Sequence, residues 1–108
     1  MSINPPLSGT VRVAAVQMVS TTRIDTNLSN AAQLIAEAAA TGARLVVLPE
    51  YFCLMGRQDT DKVAVRETDG RGPIQDFLVA QARQHGVWLV GGTLPLAAPE
   101  PDRVFNTT

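Results

Sequence analysis

Apolar residues along this chain occur mainly in short runs separated by polar turns, a pattern typical of strands that alternate with helices. The runs at Val11–Met18, Ala43–Leu48 and Val87–Thr93 are rich in valine, alanine and leucine, and glycine, proline or polar residues bound them. Their length and β-branched content predict three mostly buried strands. The middle run ends at Pro49, because proline has no N–H to give to a strand ladder.

Two other segments have apolar residues at helical spacing. The first is predicted to run from Asp25 to Thr41, with Asp25 or Thr26 at its cap and Gly42 at its end. The second begins at Pro73, which suits the first position of a helix, and runs to His85. The apolar faces comprise Leu28, Ala31, Ala32, Ile35, Ala38 and Ala39 in the first helix, and Ile74, Phe77, Leu78 and Ala82 or Gln81 in the second.

The remaining segments show little periodicity. Residues 53–72 form a long connection, in which Asp59–Val65 is expected to make one helical turn. Long loops inside compact domains are uncommon and are often functional. Pro95–Pro101 is predicted as a proline-rich loop and Arg103–Thr108 as a fourth strand. The predicted order is therefore β-α-β-loop-α-β-β, an α/β fold whose first three strands pair in parallel.

Composition narrows the class of protein. A chain of 108 residues with 45% hydrophobic content is expected to form one small folded domain, here residues 11–108, preceded by a flexible polar tail at residues 1–10. The net charge of −1 and the scattered arginines give no support for binding nucleic acid or an anionic membrane. No apolar run approaches the roughly 20 residues of a membrane helix.

The single cysteine excludes an internal disulfide and fits a reducing, cytoplasmic setting. One histidine and one cysteine, far apart in the chain, do not give the spacing of a metal site, so no metal is expected. The turn after the first strand, Val19–Thr22, contains no glycine. A dinucleotide site of the Rossmann type is therefore disfavoured.

Glu50 is the leading candidate for chemistry. It directly follows the Pro49 that ends the middle strand, and ligands of open α/β sheets bind outside the carboxyl ends of strands. A carboxylate at the mouth of a hydrophobic element is suited to act as a general base. The alternative for the same residue is an ordinary solvated loop glutamate.

Three motifs in the chain are similar to the opening motifs of the nitrilase superfamily of carbon–nitrogen hydrolases. They are Val13–Met18, Gly42–Glu50 and Gly91–Thr93, and they stand in the family's order and at its spacing. The resemblance covers Val11 to Thr108. Within the superfamily, Phe52–Lys62 resembles the branch that includes deaminated glutathione amidase.

The resemblance implies a fold and a reaction. The fold would be the N-terminal portion of an α-β-β-α sandwich. The reaction would be hydrolysis of a small-molecule amide without a cofactor, through a Glu-Lys-Cys triad and a thioester intermediate. Glu50 matches the family's glutamate, the general base, and the complete enzyme is expected to be a homo-oligomer.

The triad is incomplete in this sequence. In the family, the lysine and the cysteine belong to motifs downstream of the strand that begins at Arg103, and neither motif occurs in the 108 residues. We therefore expect an incomplete hydrolase domain that is interrupted in its fourth strand and is inactive by itself. Lys62 does not match the family's lysine position. Cys53 lacks the motif around the family nucleophile, so a semi-buried loop thiol is the preferred interpretation.

Three further expectations follow from single residues and from the implied half-sandwich. Arg57, in the loop after Glu50, is a candidate to pair with a substrate carboxylate, the alternative being a solvated loop arginine. Trp88, inside a predicted strand, is expected in the core.

Half of a two-sheet sandwich leaves an apolar sheet face uncovered. A non-enzymatic module that self-associates or needs a partner chain is therefore the alternative function.

Overall fold

The computed structural model describes residues 9–108, so most of the tail predicted for residues 1–10 lies outside the described residues. The strands are β1 (Val13–Ala15), β2 (Leu45–Val47), β3 (Trp88–Val90), β4 (Leu94–Ala97) and β5 (Val104–Thr107). The helices are α1 (Ile24–Ala40), α2 (Thr60–Ala64) and α3 (Pro73–His85). The mixed α/β class is confirmed, and so is the single helical turn expected in the long loop.

The central structure is a parallel three-stranded sheet in the order β1-β2-β3. Each row of the sheet joins one residue from every strand, for example Ala14, Val46 and Leu89. The parallel pairing predicted for these strands is confirmed. The ladder continues past the carboxyl end of β2, where the Leu48 N–H donates to the Val90 carbonyl at 2.9 Å.

Both long helices pack on one face of this sheet, because their apolar stripes match its Ala14, Val46 and Leu89 row. Ile35 of α1, Val46 of β2 and Ile74 of α3 are fully buried in a common core. Of the predicted apolar residues, Ile74, Phe77 and Leu78 of α3 and all of those of α1 except Ala32 lie in this core or pack against it. Burying side chains of this size contributes about 1.5–3 kcal/mol each, so this face carries most of the hydrophobic stabilisation.

The start of α1 differs from the prediction. The helix begins at Ile24, one residue earlier, with Arg23 in the capping position and no side-chain cap. Asp25 lies in the first turn, where its carboxylate accepts a hydrogen bond from the Arg23 guanidinium at 2.9 Å. The negative charge still favours this end of the helix dipole, although it does not act as a cap.

A buried carboxylate takes the role of the missing cap at α3. Gly72, before Pro73, has no side chain for capping, and Glu67 fills the space beside it. The Glu67 carboxylate accepts the N–H groups of Ile74 at 2.5 Å and Gln75 at 3.0 Å. It thus satisfies two N–H groups that lack partners within the helix and complements the helix dipole from a buried position.

The proline-rich loop predicted at Pro95–Pro101 is wrong in its first half. Residues 94–97 form β4, which pairs antiparallel with β5 in a separate two-stranded sheet. On the side of β4 that faces Glu67, Pro95 takes part through its carbonyl, which accepts the Glu67 N–H at 3.0 Å. This hydrogen bond does not require an N–H from the proline, so Pro95 is tolerated in the strand. β5 is the predicted fourth strand, but it does not extend the parallel sheet.

The second face of the parallel sheet is not covered by any described residue of the chain. It carries Val13, Leu45 and Trp88 in one row and Ala15, Val47 and Val90 in the next, all of them apolar. Val13 is 54% exposed and Trp88 is 78% exposed. The expectation that Trp88 lies in the core is therefore wrong, because no residue of the range 9–108 covers its side chain.

Candidate active site

Glu50 lies at the carboxyl end of β2, the central strand of the parallel sheet. Its side chain is solvent-exposed and makes no hydrogen bond or ion pair within residues 9–108. An exposed carboxylate at this end of a parallel sheet is accessible to a ligand. The described structure thus leaves Glu50 free to accept a proton from a group outside these residues.

The backbone beside Glu50 has an unusual conformation. Tyr51 has a φ of 58°, and it is the one non-glycine residue with positive φ within residues 9–108. A left-handed conformation costs a residue with a Cβ roughly 1–2 kcal/mol, and it persists only where the surroundings enforce it. Strain of this kind is often found at functional sites, which is consistent with a defined geometry at Glu50.

The Gly91–Thr93 motif enforces that geometry from β3. A Cβ on Gly92 would meet the carbonyl oxygens of Leu48 and Pro49, and a Cβ on Gly91 would lie 2.6 Å from Leu78 of α3. Gly92 is therefore needed for the close approach of these two backbone segments, whereas the contact at Gly91 involves only the side chain of Leu78. The Thr93 hydroxyl accepts the Tyr51 N–H at 3.3 Å. The motif thus holds the segment on both sides of Glu50.

Asn27 of α1 holds the chain shortly after Glu50, at Cys53. Its side chain is fully buried, and its Nδ2 donates to the carbonyls of Thr21 at 2.8 Å and Cys53 at 2.9 Å. Its Oδ1 accepts the Thr21 N–H at 2.7 Å and the Thr21 hydroxyl at 2.9 Å. Since Thr21 also accepts the Met55 N–H at 3.0 Å, the loop after β1 and the loop after Glu50 form one hydrogen-bonded unit.

Cys53 is not placed as a reactive thiol. Its side chain is 1% exposed, and burial raises the pKa of the thiol to about 11. Nucleophilic cysteines require the thiolate, which is scarce near neutral pH when the pKa is this high. The interpretation as a structural loop thiol agrees with this environment, although the thiol is more deeply buried than predicted.

Arg57 and Lys62 line a recess beside Tyr51. The recess has a volume of about 200 Å³, and its wall is completed by Met55, Gly56, Gln58 and Asp59. The structure therefore brings Arg57 next to the residue that follows Glu50, while Glu50 itself is outside the recess lining. Arg57 remains exposed, as the alternative of a solvated arginine also predicts.

Asn27, Glu67 and Lys62 were not identified as site or support residues from the sequence. Gly72-Pro73 without a capping side chain was a signal that a distant group would cap α3. Asn27, in the apolar stripe of α1, was a comparable signal, because a buried amide must find partners. No such signal exists for Lys62, since contact with Tyr51 depends on how the intervening loop folds.

Within residues 9–108 there is no group of three or more histidine, cysteine, aspartate or glutamate side chains placed to hold a metal ion. No helix in this part of the chain has the length and apolar content to cross a membrane.

Comparison with known proteins gives a consistent family. The family model for carbon–nitrogen hydrolases matches residues 12–108. A nitrilase of Pyrococcus abyssi is 37% identical over 90% of this chain and 37% of its own length. A deaminated glutathione amidase of Synechocystis is 35% identical over 87% of this chain and 34% of its own length. The chain thus spans about a third of the length of these relatives.

A solved structure has the same fold. Saccharomyces cerevisiae Nit3, a member of branch 10 of the nitrilase superfamily, superposes with a TM-score of 0.75 at 29% identity. The match covers 89% of this chain and 37% of Nit3. The architecture is therefore that of a portion of a nitrilase-superfamily fold, as the sequence motifs imply. Because the family model matches residues 12–108, nearly all of the chain, this chain belongs to the carbon–nitrogen hydrolase family.

Proposed function

We propose that this chain supplies the N-terminal part of an amidase site, with Glu50 as the general base. The observation that carries the proposal is the exposed Glu50 carboxylate at the end of the central strand, next to the strained Tyr51. Gly92 and Thr93 fix the backbone on both sides of Glu50, and Asn27 binds the carbonyl of Cys53 three residues later, so the position of Glu50 in the chain is well defined.

The reaction requires two groups that residues 1–108 do not supply at the family's positions. Glu50 would take the proton of a cysteine thiol, whose sulfur attacks the amide carbon to form a tetrahedral intermediate. A lysine would stabilise the oxyanion, and collapse to the thioester would break the C–N bond and release the amine, which leaves with the proton that Glu50 took from the thiol. Glu50 would then activate a water, which releases the acid and restores the thiol. No cofactor takes part in these reaction steps.

The lysine and the cysteine must come from chain beyond these residues or from a second polypeptide. Lys62 is already engaged with Tyr51, and Cys53 is a buried thiol of raised pKa. We therefore expect the pure 108-residue chain to have no amidase activity. Amide turnover by that chain, abolished by Glu50→Gln, would contradict this.

A chimera tests the role of Glu50. Residues 12–108 would replace the matching third of the Synechocystis deaminated glutathione amidase, whose remaining part continues the domain. We expect the folded chimera to hydrolyse deaminated glutathione and Glu50→Gln to lower kcat by a factor of roughly 10²–10⁴. Glu100→Gln, at an exposed position in the turn between β4 and β5, is the matched control and should leave kcat unchanged.

A chimera with normal circular dichroism and undiminished turnover after Glu50→Gln would overturn the proposal. The Pyrococcus abyssi nitrilase provides a second background if the first chimera does not fold. In both backgrounds Arg57→Met tests the further proposal that Arg57 contacts the substrate, and it should raise KM more than it lowers kcat. Homo-oligomeric assembly and a cytoplasmic location are proposed for the complete enzyme only.

The second candidate function is a non-enzymatic half-sandwich that pairs with another chain. The uncovered row of Val13, Leu45 and Trp88 favours it, because an apolar sheet face normally packs against a second layer. Sedimentation of the 108-residue chain is the test, and we expect association that Trp88→Ser weakens. A monomer that unfolds in one sharp transition would count against this candidate.

A further inference from the structure

Thr93, the last residue of the Gly91–Thr93 motif, binds the segment after Glu50 at two points. Its hydroxyl accepts the Tyr51 N–H at 3.3 Å, and its carbonyl accepts the Cys53 thiol, with the sulfur 3.9 Å from the carbonyl oxygen. Thr93 directly precedes β4, and Tyr51 is 42 positions earlier in the chain. The hydroxyl and the carbonyl of one residue are thus both used on the loop that follows the central strand.

The hydroxyl acts on the peptide group next to Glu50. The Tyr51 N–H belongs to the same planar peptide unit as the Glu50 carbonyl, so a hydrogen bond to this N–H fixes the orientation of the whole unit. The peptide unit before Glu50 is restrained too, because Gly92 packs directly against the Pro49 carbonyl. With both neighbouring peptide units held, the direction in which Glu50 presents its side chain is set by the backbone.

The conformation of Tyr51 shows why this hydrogen bond is needed. Its φ of 58° is disfavoured for a residue with a Cβ, and such a conformation persists only where the surroundings enforce it. Without the Thr93 hydroxyl, the Tyr51 N–H would lose its acceptor and the peptide unit could rotate towards negative φ. That rotation would turn the Glu50 carbonyl and change the direction of the Glu50 side chain.

A packing role for Thr93 makes a different prediction. Its side chain is half-buried, and a β-branched residue suits the start of a strand for reasons of shape alone. Valine has the same branched shape without the oxygen, whereas serine keeps the oxygen without the methyl group. The two substitutions at this one position therefore separate the hydrogen bond from the packing.

We propose that Thr93 is a positioning residue for the general base: its hydroxyl fixes the Glu50–Tyr51 peptide and thereby aims the Glu50 carboxylate at the thiol that it deprotonates. This inference rests on the proposed function of Glu50. Thr93 acts through the backbone and needs no contact with the substrate. Its loss should therefore lower kcat and leave KM nearly unchanged.

The chimera with the Synechocystis amidase provides the kinetic test. Thr93→Val should lower kcat by a factor of about 10–100, as expected for a misplaced catalytic group, and change KM by less than about twofold. Thr93→Ser should retain most of the activity. Thr26→Val, at an exposed position in the first turn of α1, is the matched control and should leave both constants unchanged.

A double-mutant cycle shows whether Thr93 acts through Glu50. When Glu50→Gln is already present, Thr93→Val should cause no further loss of kcat, because there is no base left to position. Amide hydrogen exchange in the 108-residue chain adds a readout that is independent of activity. Thr93→Val should speed the exchange of the Tyr51 N–H by about tenfold or more, and Thr93→Ser should not.

Three outcomes would overturn the inference: unchanged kcat in Thr93→Val, an equal loss in Thr93→Ser, or the same fractional loss with and without Glu50→Gln. Should Thr93→Val fail to fold, Thr93→Ala removes the hydroxyl without placing a methyl group against the Tyr51 N–H and serves in the same comparisons. A Glu50→Gln chimera of full activity would refute the proposed function itself. A large Glu50→Gln effect without a Thr93→Val effect would refute the positioning role alone.

Discussion

The two faces of the parallel sheet have nearly the same composition and different surroundings. One face, with Ala14, Val46 and Leu89, is packed under α1 and α3. The other face, with Val13, Leu45 and Trp88 in its first row, has no described residue packed on it. Since both faces are apolar, the strands are built for burial on two sides. The difference marks the surface where a second layer is required.

The largest expected difference between the faces concerns a matched pair of valines. Val46→Ala removes a fully buried side chain of the covered face and should lower the free energy of unfolding by about 2–4 kcal/mol. Val13→Ala, on the uncovered face, should lower it by less than about 1 kcal/mol. Urea unfolding at a dilution where the chain is monomeric measures both. Equal losses would mean that the second face is already covered in the monomer.

The covered face also depends on one buried carboxylate. Glu67→Ala should lower the free energy of unfolding by about 1–3 kcal/mol, because the N–H groups of Ile74 and Gln75 lose a charged acceptor. Asp69→Ala, at an exposed position two residues away, is the control and should change it by less than about 0.5 kcal/mol. A negligible effect of Glu67→Ala would show that the cap contributes nothing to the packing of α3.

A smaller effect is expected for Asn27, which joins two loops on the covered side. Asn27→Ala should increase the rate at which a thiol reagent labels Cys53, by roughly tenfold or more, because the Cys53 carbonyl loses its donor. Cys53 is the only cysteine, so the labelling rate reports on this loop directly. Asn30→Ala, at an exposed position on the same helix, should not change the rate. An unaltered rate in Asn27→Ala would refute the anchoring role.

The smallest effect should appear only in alkaline solution. The pKa of the Cys53 thiol is raised by burial from 9.0 to about 11, so the unfolded chain loses this proton at lower pH than the folded chain. Stability should therefore be unaffected by this group below about pH 9 and should fall between pH 9 and pH 11. Cys53→Ala should remove that part of the pH dependence. An identical alkaline profile in both proteins would mean that the thiol is not buried in solution.

The sequence predicted the elements that local chemistry determines. Proline at the start of α3, glycine at its end and the apolar stripes of both helices gave correct helices, and the valine-rich runs gave the parallel strands. β4 was missed because Pro95 indicates a loop, and only its tertiary partners Glu67 and β5 make it a strand. Trp88 was misplaced because a strand pattern shows which residues are apolar but not whether a second layer covers them.

In the candidate site, too, the sequence predicted what depends on local features and missed what depends on tertiary contacts. Glu50 was identified as a candidate because a strand end and the family motifs specify its position in the chain. The contact between Lys62 and Tyr51 was not, because it joins residues 11 positions apart through a loop of irregular shape. The roles of Glu50 and Arg57 in catalysis and binding remain predictions.

The central claim is that the uncovered face of the parallel sheet packs against a second sheet that these 108 residues do not supply. The exposure of Trp88 tests this claim most directly. Trp88 is the only tryptophan and lies on the uncovered face. We expect its fluorescence in the monomeric 108-residue chain to be quenched readily by acrylamide, as for a solvent-exposed indole. In the folded chimera, whose remaining two-thirds would supply the second sheet, quenching of the Trp88 signal should fall severalfold. Other tryptophans of the chimera would be replaced by phenylalanine. A Trp88 that is equally exposed in the active chimera would contradict the account.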